Sequence, residues 1–436
     1  MIPVALYLTP PEFKDLEIEE IAELVAGNAF REIDGPDITT ELSVGWTAPG
    51  DYMNVGPDAF TPGAIDCGGY VCLGMRLDRR RIPARTLDKH FRIEAEAWRE
   101  SRRQEQMALP ASGQKPHQVN KDPKPSKAQK KELKQAAKSK LLGRLIPEPL
   151  DADLIWNRAA GRLYVLASSG TVLKHFENLW SATFGRPAVA LTPANRLPLL
   201  GYDWPLKAIG QEFLTWAWST YCDPALDDDQ RLQQLKNCHT RRVEDVRLSV
   251  LKEISMEQED GESGRQRLAA SGKLSEIPEI KSSIENGREI VRAVLGFTVD
   301  EEVFQVAVRS FDFMFLVKTP KVAKAARDED EDPHGEFLER QSLLERAIGY
   351  FDDLFAYFLQ GQEAEGRIER TAASAAEIAA VQQRAAEDAA KAFMDALRPT
   401  GVVSMTLRVG GKEIVIKDEP KAEDEKKTAA KAEAAA

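Results

Sequence analysis

Residues 290–317 read IVRAVLGFTVDEEVFQVAVRSFDFMFLV, and this stretch decides the fold class. Two apolar runs, Ile290 to Thr298 and Val303 to Val317, flank the acidic break Asp300 to Glu302. Both are rich in β-branched and aromatic residues, and Phe311, Phe313, Phe315 and Val317 recur with the period of two that half-buries a strand. The pattern predicts an antiparallel hairpin, and helical patterns on either side make the chain α+β.

Working back toward the N-terminus, Ile277 to Asn286 is expected to be a helix, with Pro278 near its start and Gly287 as C-cap. Strands are expected around Val243 to Ile254. Gly210 to Tyr221 carries Phe213, Leu214, Trp216, Ala217 and Trp218, a density of apolar residues that predicts a largely buried helix. Thr171 to Phe184 predicts another helix, ending at Gly185, after a strand at Arg162 to Ala167. The first residues show the same strand-then-helix order: a strand at Val4 to Leu8, then an amphipathic helix over Asp15 to Phe30. Leu42 to Thr47 and Tyr70 to Leu77 read as strands of a small mixed sheet, separated by a Gly, Pro and Asp rich loop, Ala48 to Gly69.

Working forward, Arg327 to Pro333 is an acidic linker, Glu336 to Leu359 a strongly patterned helix, and Gly366 to Leu397 an Ala-rich helix stopped by Pro399. A last hairpin, Val403 to Val409 and Glu413 to Ile416, turns at Gly410-Gly411. The tail from Asp418 lacks the apolar content to fold. The expected organisation is an N-terminal α+β region (1–222) containing a basic helical segment (76–146), a second α+β region with antiparallel strands and a long helix (223–362), a helix and hairpin extension (363–417), and a disordered tail (418–436).

Charge is the feature that bears on function. Between Arg76 and Arg144 twenty Lys and Arg face eight Asp and Glu, a local charge of +12 in a chain of 59 Lys and Arg and 70 Asp and Glu with net charge −11. The remainder therefore carries −23, so positive charge is concentrated, which suggests a polyanion partner. The segment resolves into two helical patterns around a polar linker, Leu109 to Pro125. In the first, Leu87, Phe91, Ala95 and Trp98 share one face while Lys89, Arg92, Arg99 and Arg103 share the opposite one, interrupted by Glu96. In the second, Ser126 and Gln129 have capping-box spacing, Lys127, Lys131, Lys134 and Lys138 form one stripe, and Leu133, Ala137 and Leu141 lie beside it. These eight cations are the expected DNA-phosphate contacts, weighed against the commoner reading of a charged helix face as merely solvated.

Catalytic patterns are poor. The run Asp328 to Asp332 reads as a solvated linker, Glu279-Ile280-Lys281 sits in an expected helix, and Cys238-His239 lacks further Cys or His at zinc-ligand spacing. No Gly-rich phosphate loop of the Walker type occurs. No catalytic residue, metal site or cofactor is expected. Trp216 and Trp218 are read as core rather than as base-stacking residues. Four cysteines, Cys67, Cys72, Cys222 and Cys238, fit reduced thiols of a cytoplasmic protein, and no apolar run reaches the roughly 20 residues of a membrane helix. Met1 to Leu8 reads as a strand rather than as a signal peptide.

The Gly45-Trp46 pair after a strand and the segment Gly210-Gln211-Glu212-Phe213-Leu214-Thr215-Trp216-Ala217-Trp218 resemble landmarks of the RdgC family of recombination-associated proteins. So do Ser271-Gly272, Gly287-Arg288-Glu289-Ile290-Val291-Arg292-Ala293, Lys318-Thr319-Pro320 and Phe337-Leu338-Glu339 of its longer members, over roughly residues 1–360. The resemblance implies a cytoplasmic, nucleoid-associated homodimer closed into a ring with a basic hole, binding double-stranded DNA without sequence preference and restraining the RecA recombinase. The chain departs from compact members at Pro49 to Cys67, in the basic linker and after Gly361. Alternatives are a metal-dependent exonuclease, a label some family members have carried, and a protein-interaction scaffold recruited through the acidic surface and the C-terminal extension.

Overall fold

The first strand, β1 (Ile2–Leu8), is buried on both faces, which is why it reads as one apolar run rather than as an alternation. It joins the two halves of the fold. The computed structural model describes residues 1–33, 40–108, 123–203, 208–221, 246–260, 264–272, 277–299, 301–321, 333–370, 404–409 and 412–417.

After β1 come a 3-10 turn (Pro11–Asp15), α1 (Ile18–Gly27), β2 (Leu42–Thr47), a second 3-10 turn (Pro57–Phe60), α2 (Pro62–Ile65) and β3 (Tyr70–Arg79). The chain continues through α3 (Ala84–Ala108), α4 (Lys127–Leu142), β4 (Glu148–Asn157), β5 (Arg162–Val165), α5 (Gly170–Phe184), β6 (Val189–Ala190), α6 (Pro193–Leu199), β7 (Tyr202–Asp203) and α7 (Ile209–Tyr221). Then follow β8 (Val246–Asp260), β9 (Gly264–Ser271), α8 (Pro278–Glu285), β10 (Glu289–Val299), β11 (Glu302–Arg309), β12 (Phe315–Lys318), α9 (Pro333–Ala364), β13 (Glu369–Arg370), β14 (Ser404–Val409) and β15 (Lys412–Lys417).

Eleven strands form one sheet in the order β2-β3-β4-β5-β1-β12-β11-β10-β8-β9, with β6 also on β1. All its strand pairs are antiparallel. Residues Ile2 to Val4 of β1 pair with β12, and Ala5 to Leu8 pair with β5. The protein is thus α+β, built on a large antiparallel sheet; the small mixed sheet expected at the N-terminus is part of it. The boundary expected at residue 222 falls outside the described residues.

Each face of the sheet has its own core. One gathers Val4, Leu6, Tyr164 and the inward residues of β8, β10, β11 and β12 against α7 and α9. The other packs Ala5, Tyr7, Leu154, Trp156 and Val165 against α1 and α5. Phe213 is the hub of the first, with Phe313, Phe351, Phe355 and Phe358 edge-on at 5.1–6.0 Å.

Helices α7, α8 and α9 cover the segments expected, as does the β14–β15 hairpin, whose Gly410-Gly411 turn lies outside the described residues. The β10–β11 hairpin forms with Val299 opposite Glu302. The single strand expected over Val303 to Val317 does not form. It breaks at Ser310 to Met314, where Phe313 takes a φ of 48°, the Asp312 carboxylate accepts from the Met314 N–H at 3.1 Å, and Phe311 turns out to 68% exposure. The turn lets β12 fold back onto β11 and reach β1.

The first helix is also shorter than expected. Ala29 and Phe30 leave α1 to bridge Trp46, with the Phe30 N–H donating to Trp46 O at 2.8 Å and the Trp46 N–H to Asn28 O at 3.1 Å. A Cβ on Gly45 would stand 2.4 Å from the Phe30 backbone, so only glycine admits this crossing. The Ala48 to Gly69 loop is likewise not featureless; Ala59, Phe60 and Ile65 are buried and hold the two short helical turns. The Arg327–Pro333 linker is outside the described residues up to Pro333, as are most of the Ala-rich segment 366–397, the tail from 418 and the strand start before Val246.

Candidate nucleic-acid interface

The basic segment is a helical hairpin inserted between two strands that pair with each other. The chain leaves the sheet after Arg79, which lies opposite Glu148, and returns there at the start of β4. The two helices pack together, and of the 109–125 linker only Pro123 to Pro125 is described.

Local sequence explains each helix. In α4 the capping box forms: the Gln129 N–H donates to Ser126 Oγ at 3.3 Å and the Ser126 N–H to Gln129 Oε1 at 2.9 Å. Ala137, Leu141 and Leu142 are buried and Leu133 half-buried. On α3, Ala95 is buried while Leu87, Phe91 and Trp98 are half-buried, so the expected packing face is the one that packs. A Lys140 Nζ to Glu94 Oε1 pair at 2.6 Å crosses between the helices.

The cations separate into two groups. Some are bound within the protein. Arg76 makes two 2.8 Å bonds to Asp78, which hold its guanidinium above its ordinary pKa. Arg80 is buried and donates to Ile33 O. Arg102 pairs with Glu105 at 2.7 Å and Arg103 with Glu100 at 3.4 Å. Lys138 pairs with Glu41, just before β2. The second group, Lys89, Arg92, Arg99, Lys127, Lys131 and Lys134, makes no ion pair among the described residues. Lys89, Arg92, Lys127, Lys131 and Lys134 are exposed, whereas Arg99 is half-buried with a buried Nε that has no hydrogen-bond partner among the described residues.

Six of the eight expected contacts are therefore without an ion-pair partner among the described residues, and two, Arg103 and Lys138, are already engaged. Arg85 and Lys130 are exposed cations on the same two helices that the stripe reading passed over. Arg85 precedes Lys89 and Arg92 at i, i+4 and i+7, a signal present in the sequence.

Other candidate positions have packing roles. Trp218 is buried, and Trp216 stacks on Phe213 at 6.2 Å and lies 5.2 Å from Phe358. In Glu279-Ile280-Lys281 the central Ile280 is buried, with Glu279 exposed in the first turn of α8. Asp328 to Asp332 and Cys238-His239 lie outside the described residues, and among the described residues no three His, Cys, Asp or Glu side chains converge as a metal site would require. No described helix is long and apolar enough to cross a membrane.

No protein-family model matches the chain, and no curated protein is significantly similar to it.

Proposed function

We propose that this protein binds double-stranded DNA without sequence preference and modulates homologous recombination by occupying DNA that the RecA recombinase would use, as an RdgC-like, ring-shaped homodimer associated with the nucleoid. The observation that carries the reading is the α3–α4 arm, where Lys89, Arg92, Lys127, Lys131 and Lys134 are exposed and without acidic partners among the described residues. Ammonium and guanidinium groups presented on helices neutralise phosphates, release counterions and contribute affinity that carries no base information.

The resemblance to the RdgC family lends the recombination context and the dimer. The glycines of two of the quoted landmarks are held by close packing: Gly45 under the Phe30 backbone, and Gly210 against the Ser310 carbonyl.

The test is binding of purified full-length protein to fluorescent duplexes across a salt series, with and without Mg²⁺, with DNA integrity followed in the same samples. Neutralising about six phosphates gives a log K against log salt slope near −5. A flat response overturns the DNA reading in favour of a protein scaffold, and Mg²⁺-dependent shortening of the DNA replaces it with the nuclease.

A further inference from the structure

Cys67 and Cys72 flank a tight turn that the DNA reading does not use. Asp66 and Val71 form an antiparallel bridge, the Cys67 N–H donates to Tyr70 O at 2.8 Å, and Gly68 and Gly69 make the reversal with φ of 68° and 92°. Both values lie in the left-handed region that a two-residue hairpin turn requires, and glycine supplies them without strain. The Gly69 N–H also donates to Asp66 Oδ1 at 3.3 Å. In this register Cys67 stands opposite Tyr70, and Cys72 is its diagonal neighbour on the same face of the hairpin.

Both cysteines are free thiols; Cys72 is buried and Cys67 half-buried, so one is reachable from solvent and the other is not. Interaction with Cys72 lowers the Cys67 pKa against the opposing effects of burial and Asp66, while interaction with Cys67 and burial raise that of Cys72. The more accessible sulfur is thus also the one whose ionisation is favoured, which is how an attacking and a resolving cysteine are arranged.

We infer that Cys67 and Cys72 form an oxidisable dithiol that closes to an intramolecular disulfide on reaction with a hydroperoxide. The Cys67 thiolate attacks the peroxide; an S–O bond forms, the O–O bond breaks, and the leaving oxygen takes a proton to become water or an alcohol. The Cys72 sulfur then attacks the Cys67 sulfenic acid; the S–S bond forms, the S–O bond breaks, and the hydroxyl leaves with the Cys72 proton as water. Two electrons pass from the pair of thiols to the peroxide. Disulfides of this reversible kind are the ones expected in reducing compartments.

The turn rests on α9. A Cβ on Gly68 would meet Leu338 Cδ1 and Cδ2 at 3.3 Å, the Tyr70 ring lies 6.3 Å from that of Phe337, and the Tyr70 hydroxyl donates to Glu345 at 3.2 Å. Closure of the disulfide would tie the strand bearing Tyr70 to the turn beneath this helix.

The full-length protein is treated with hydrogen peroxide, its remaining thiols are blocked with N-ethylmaleimide in denaturant, and the tryptic peptide spanning residues 32–76, which holds both cysteines, is weighed. The expected product is that peptide lighter by two hydrogen atoms and without maleimide, restored to the doubly blocked form by dithiothreitol. In Cys72→Ser the expected product is a Cys67 sulfenic acid captured by dimedone, with circular dichroism unchanged. Doubly blocked peptide after peroxide treatment, or a bridge from Cys67 to Cys222 or Cys238, overturns the inference.

Discussion

The ammonium of Lys138 on α4 pairs with the carboxylate of Glu41, a residue nearly a hundred positions earlier that stands at the entrance to β2. The pair pins the arm to the sheet and withdraws one cation from the stripe. Its side chains are 33% and 49% exposed, so it contributes at most about 1 kcal/mol to stability. Glu41→Gln is therefore expected to leave the melting temperature nearly unchanged while freeing Lys138 for phosphate. The salt slope of duplex binding should steepen by roughly 0.9. An unaltered slope removes Lys138 from the interface.

Lys127, Lys131 and Lys134 are exposed, so replacing all three with Gln should leave the helical circular dichroism signal intact. The salt slope should become shallower by roughly 2.7, and affinity should fall by the same factor on duplexes of unrelated sequence. A loss confined to particular sequences would mean that the arm reads bases rather than phosphates.

Gly210 opens α7 so close to the β11–β12 turn that a Cβ would lie 1.8 Å from Ser310 O, a backbone atom that cannot swing aside. Gly210→Ala should cost about 3 kcal/mol or more, seen in urea unfolding, because α7 must lift from the Phe313 and Phe351 cluster. Gly361→Ala provides the contrast. It sits in α9 with nothing within 4 Å of its would-be Cβ, and relief of backbone entropy should stabilise by roughly 0.5–1 kcal/mol. If the two variants unfold alike, the close approach at Ser310 is not a constraint on the fold.

Glu177 accepts a 3.0 Å hydrogen bond from the Tyr7 hydroxyl, yet burial raises its carboxyl above the ordinary carboxylate value, with the Tyr7 bond and Lys174 opposing. Because its folded pKa is the higher one, the folded state holds the proton longer than the unfolded chain. The associated stability is fully present below the ordinary carboxylate range and is lost as pH rises through the folded value. Glu177→Gln, which keeps an acceptor for Tyr7, should reduce that loss and raise the melting temperature at neutral pH. Denaturation curves for both proteins from pH 4 to pH 8 check this, and parallel curves would contradict it.

Much of the architecture was legible because it is local. The β10–β11 hairpin is two apolar runs about an acidic break, α4 begins at a capping box, and α9 carries an apolar stripe; in each the decisive residues are near neighbours in sequence. The split at Ser310 to Met314 was not legible. Phe311, Phe313 and Phe315 keep the period of a strand, and only the positive φ at Phe313 and the Asp312 acceptor reveal the turn. Nor was the first half of β4 apparent, since Glu148 to Asp151 is exposed, carries a proline and lacks an apolar alternation, and becomes strand only by pairing with Leu77 to Arg79 and their neighbours in β3.

Composition and helical periodicity determined that this protein concentrates positive charge on two helices, because charge count and the 3.6-residue repeat are written in order along the chain. Which of those charges remain available was decided by tertiary structure. Glu41 comes from before β2 to engage Lys138, Glu94 crosses between helices to engage Lys140, and Lys127, Lys131 and Lys134 stay exposed with no ion pair among the described residues. Charge is a property of each residue, but pairing depends on distances that only the folded chain sets.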